Sequence, residues 1–143
     1  MRNVSAWIVV SAIVIGVFFQ DITGYSFTEL MGGSSQERMT PETLERMAEE
    51  QKQRLPISSN DGQTWVRTDA VGMTLRHTYR VARSLSSAEI SSARAQAYRN
   101  IPEANCADRA VTRLLDESVR IEYAYVDGSN RELFTVSIDS ASC

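Results

Sequence analysis

Soft ligands and groups that titrate near neutral pH are scarce in this chain, and each shortage removes a class of function. His77 is the only histidine, and Cys106 and Cys143 are the only cysteines. That set is too small for a structural zinc site, which takes four such ligands. Lys52 is the only lysine, so nearly all basic charge is arginine. With 15 basic against 18 acidic residues the net charge is −3, not the basic excess of a nucleic-acid binder. No glycine-rich phosphate loop and no G-x-S-x-G nucleophile elbow occurs. The Asp127-Gly128 pair lacks the spaced carboxylates of a calcium loop. The sequence therefore predicts no catalytic, cofactor-binding or metal-binding residues.

What is present begins with an uncharged run, Val4 to Phe19, VSAWIVVSAIVIGVFF. As a helix it spans about 24 Å, slightly less than a bilayer core, and its flanks supply the rest. Trp7 and Tyr25 fall where interfacial aromatics belong. Arg2 precedes the run and Asp21 and Glu29 follow it, which by the positive-inside tendency leaves the N-terminus in the cytoplasm. The rival is a cleaved signal peptide, but Gln20 to Tyr25 make a poor peptidase site. Either way the rest of the chain is exported. We expect residues 1–23 as a single inner-membrane anchor, 24–39 as a flexible linker containing Gly32, Gly33, Ser34 and Ser35, and 40–143 as a periplasmic domain. An even cysteine count in an exported domain predicts a Cys106–Cys143 disulfide.

Within that domain, Thr40-Pro41-Glu42 has the form of a helix start: a capping hydroxyl followed by proline at the first helical position. Leu44, Met47, Ala48, Gln51 and Leu55 then make one stripe, which Pro56 ends. Thr64 to Val71 and Met73 to Val81 read as strands joined tightly at Gly72. Leu75, His77 and Tyr79 face one side of the second strand, and Arg76 and Arg80 face the other. Ser86 to Glu89 is a capping box for a helix that should stop near Pro102. Another helix is expected from about Asn105 to Leu115. Val119 to Val126 and Leu133 to Ile138 are strands around the Asp127 to Asn130 turn. The predicted fold is α+β: a four-stranded antiparallel sheet of two hairpins, with about three helices on one face.

His77 shares its strand face with Leu75 and Tyr79, so it reads as a structural histidine; a hydrolase using it is the remote alternative. Arg67, Arg76, Arg80 and Arg83 are the candidate partner-binding face, able to receive an acidic segment or lipid headgroups.

Leu55-Pro56, the T-L-x-x-T-Y strand at Thr74 to Tyr79, Cys106, the Y-x-Y-x-D-G strand and turn at Tyr123 to Gly128, and Cys143 follow one another along the chain. In this order the chain resembles small bacterial envelope domains of unknown function and, loosely, the small α/β pilotin-type accessory proteins of secretion systems. The resemblance covers roughly Glu42 to Cys143 and implies a non-enzymatic accessory subunit or assembly factor that binds a protein partner in the envelope. The lipidated cysteine of pilotins is missing here. A disulfide-closed inhibitor or immunity-type protein is the alternative.

Overall fold

The first helix starts where its cap chemistry puts it. Thr40 Oγ1 accepts the Thr43 N–H at 3.2 Å, and α1 runs Pro41–Lys52. The structure, a computed structural model, describes residues 38–58 and 62–143. The predicted anchor and most of the predicted linker lie outside the described residues. Among the described residues no helix is long and apolar enough to cross a membrane.

After α1 come β1 (Ile57–Ser58), β2 (Gln63–Val71), β3 (Thr74–Val81), α2 (Ser87–Cys106), α3 (Arg109–Asp116), β4 (Arg120–Val126) and β5 (Glu132–Ile138), then a 3-10 turn at Ser140–Ser142. The strands form one five-stranded sheet in the order β1-β2-β3-β4-β5. Three of the pairings are antiparallel, but β3 and β4 run parallel, Thr74 opposite Arg120 and Arg80 opposite Val126.

This corrects the four-stranded antiparallel expectation in two places. The extra strand β1 has two residues, too few to show any alternation. The parallel pair follows from the helix lengths. Pro102 does not end α2, which continues to Cys106. Twenty helical residues carry the chain about 30 Å, the length of the sheet, whereas the eight of α3 carry it only about 12 Å. The chain therefore returns to the end of the sheet where β3 began, and β4 leaves in the same direction. Two helices of similar length would have brought it back to the other end.

All three helices cover one sheet face. Leu44, Met47, Ile101, Val111, Leu114 and Leu115 pack there against Trp65, Tyr79, Ile121, Tyr123, Tyr125 and Val136. The predicted inward faces of β3 and β4 are the buried ones. In α2, Ala97 and Ile101 are buried, while Tyr98 stands exposed at the sheet edge and its hydroxyl donates to the Thr135 carbonyl at 3.3 Å. The Cys106–Cys143 disulfide forms, with Cα atoms 5.5 Å apart. It ties the last residue of α2, rather than a residue of α3, to the segment after β5.

Candidate functional site: the helix-free sheet face

Among the described residues no helix covers the opposite face of the sheet, and its composition is set by strand alternation and one bulge. In β3, Leu75, His77 and Tyr79 point into the core, so Arg76 and Arg80 point out. In β2, strict alternation would put Trp65 and Arg67 on the same face. The register shifts between them, with Trp65 opposite Tyr79 and Arg67 opposite Thr78. Val66 is the extra residue. It lets Trp65 stay buried while Arg67 and Asp69 reach the open face. The Trp65 indole N–H donates to the Arg67 carbonyl at 3.1 Å, which holds the bulge.

The hairpin between β4 and β5 curls over the same face. Asp127 Oδ1 accepts the Ser129 and Arg131 N–H groups at 2.8 and 2.9 Å, and Asn130 adopts a positive φ of 63°. Asn130 and Glu132 thereby become one wall of a concavity of about 710 Å³. Val66, Val71 and Val126 are its apolar lining; Arg67, Arg76 and Arg80 are its basic lining. Val71, 75% exposed, stands at its edge.

Three of the four predicted arginines therefore converge. Arg83 does not join them: its guanidinium is 2.6 Å from Glu89 Oε2 beside the α2 capping box. There the Ser86 backbone N–H, the Ser86 hydroxyl and Arg83 together hold the Glu89 carboxyl below its usual range. The face is also less basic than arginine spacing alone suggests. Arg67 Nε is 2.7 Å from Asp69, and Arg76 lies 3.3 Å from Glu132 and 3.8 Å from Glu122. Asp69 could have been found from its alternation with Arg67. Glu132 lies 56 residues from Arg76 in the sequence, and nothing local announces it.

Beneath the sheet lies a second polar group. His77 is buried, shares a 3.3 Å hydrogen bond with Thr68 through Nδ1, and meets Trp65 edge-on with ring centroids 5.1 Å apart. Desolvation lowers its pKa to about 4, so at neutral pH it is an uncharged core residue. Among the described residues no cluster of three or more His, Cys, Asp or Glu side chains could hold a metal ion.

No family model and no curated protein matches the chain. Solved structures do share its fold. A candidate secreted protein of Pseudomonas aeruginosa superposes with a TM-score of 0.65 at 19% identity, covering 72% of this chain and 91% of that one. The pilotin EpsS of the Vibrio vulnificus type 2 secretion system matches with a TM-score of 0.57 at 14% identity, over 72% of this chain and 90% of its own. The type II secretion pilotin AspS of Vibrio cholerae matches at 0.54 and 15%, over 70% and 88%. The chain thus has a fold that secretion pilotins use, which agrees with the resemblance in its sequence. Identity at this level carries the architecture and assigns no residue a role.

Proposed function

We propose that this chain is a non-enzymatic accessory subunit or assembly factor of a bacterial envelope complex, holding a protein partner on the helix-free sheet face. The observation that carries the reading is the pilotin fold over nearly the full length of EpsS and AspS. An uncovered concave face with mixed polar and apolar lining gives the partner somewhere to sit. The buried, uncharged state of His77 argues against a histidine-based hydrolase.

In this reading Val4–Phe19 anchors the chain in the inner membrane and residues 40–143 face the periplasm. The apolar run supports the first part. The Cys106–Cys143 bond, which belongs in an oxidising compartment, supports the second. Tethering raises the concentration of the domain near membrane-borne partners.

The test is purification of the tagged full-length chain from membranes in mild detergent, followed by mass spectrometry. One stoichiometric envelope protein is the expected companion. A chain that purifies alone, or that alkaline carbonate strips from the membrane, contradicts the reading.

A further inference from the structure

Of the arginines lining the concavity, Arg80 alone makes no ion pair among the described residues. Asp69 neutralises Arg67, and Glu122 and Glu132 flank Arg76. Arg80 has instead a neutral partner: its Nη2 donates to Asn130 Oδ1 at 3.2 Å. Its Nε is buried and has no acceptor. A half-buried guanidinium with no carboxylate partner among the described residues carries a charge that an incoming anion would balance at its outer, Nη end.

We propose that Arg80 is the recognition residue for a single carboxylate on a polypeptide partner, with the adjoining Val66 and Val126 receiving an aliphatic side chain next to that acid. This rests on the partner-binding reading above and names the chemistry of the partner segment. The charge balance selects the ligand. Phosphate or an anionic headgroup favours several free guanidiniums, whereas the carboxylates of Asp69, Glu122 and Glu132 stand beside the others here and repel added negative charge. One uncompensated positive charge matches one carboxylate. The open rim selects a polypeptide over a small acid: the side chain of Arg67 is 68% exposed and that of Glu132 53%. Such a face cannot enclose most of a small ligand's surface, but a chain running across it needs no enclosure.

The experiment selects a phage-displayed random peptide library on the full-length protein in detergent, then measures synthetic consensus peptides by fluorescence anisotropy. The expected consensus has Asp or Glu beside Val, Leu or Ile. Exchanging that acid for its amide should weaken binding about tenfold or more, and Arg80→Gln should weaken it equally. Arg80→Lys, which keeps the charge and loses the planar fork, should fall between the native chain and Arg80→Gln. Arg83→Gln, outside the concavity, should bind within about twofold of the native chain. Unchanged thermal melting of Arg80→Gln keeps a folding defect from imitating the result. A consensus without an acid, no consensus, or native affinity in Arg80→Gln overturns the proposal. So does tighter binding of phosphatidylglycerol vesicles or inorganic phosphate than of the acidic peptide. If Arg80→Gln still co-purifies with a stoichiometric envelope protein, this inference fails while the accessory-subunit reading stands.

Discussion

The Tyr123 hydroxyl donates to Asn105 Oδ1 at 2.8 Å, joining the middle of β4 to the last turn of α2 in the closed interior. Asn105 is fully buried, and its amide nitrogen donates at 2.7 Å to the Ile101 carbonyl. The pair fixes the end of the long crossover helix against the strand that the crossover delivers. Tyr123→Phe leaves the Asn105 oxygen without this donor and should lower unfolding free energy by about 1–3 kcal/mol in urea titrations. Replacing both, as Tyr123→Phe with Asn105→Leu, should cost less than the sum of the single changes, because no stranded polar oxygen remains.

Acid should weaken the fold through His77. Its folded pKa, about 4, lies below the unfolded value of 6.5, because burial penalises the charged ring. Between those values the unfolded chain holds the extra proton, so stability rises with pH. The contribution is complete above about pH 6.5 and is lost as pH falls toward 4, at most about 3 kcal/mol. Urea midpoints taken at pH 7 and 4.5 should show the drop. His77→Gln should flatten that part of the profile, and an unchanged slope in this variant would assign the acid sensitivity elsewhere.

Reduction should loosen the C-terminus. The Cys106–Cys143 bond closes a separation of 37 residues, for which chain entropy predicts about 4 kcal/mol. Cys106→Ser with Cys143→Ser should lower the melting temperature measurably by calorimetry. Hydrogen exchange should rise first in residues 139–143, because the β5 ladder up to Ile138 is held independently by β4.

Pro102 sits inside α2, where it cannot donate to the carbonyl one turn back. Pro102→Ala should therefore stabilise the protein, by up to about 3 kcal/mol in thermal or urea melts. A loss of stability would show that the proline ring contributes packing worth more than the missing hydrogen bond.

Much of the local architecture is legible in the residues alone. The Thr40 cap, the Ser86–Glu89 capping box, the Gly72 hairpin and the inward faces of β3 and β4 all appear where short-range spacing places them. Pro102 misleads, because helix propensity counts the proline penalty, while the packing of Ala97, Ile101 and Asn105 outweighs it. The break between the two helices therefore falls about four residues later than expected, and the parallel pairing of β3 with β4 goes unread. The candidate face divides in the same way. Arg76 and Arg80 are readable together from period two, but Arg67 depends on a bulge and Arg83 belongs to a helix start.

Caps, turns, strand faces and the cysteine pair thus follow from the order of the amino acids, because each depends on residues a few positions apart or on a simple count. Three further features come from the assembled fold. They are that β3 lies parallel to β4, that Val66 bulges, and that Glu132 answers Arg76 while Arg80 receives no carboxylate among the described residues. Those outcomes depend on helix length against sheet length and on register between distant strands. Local spacing carries neither.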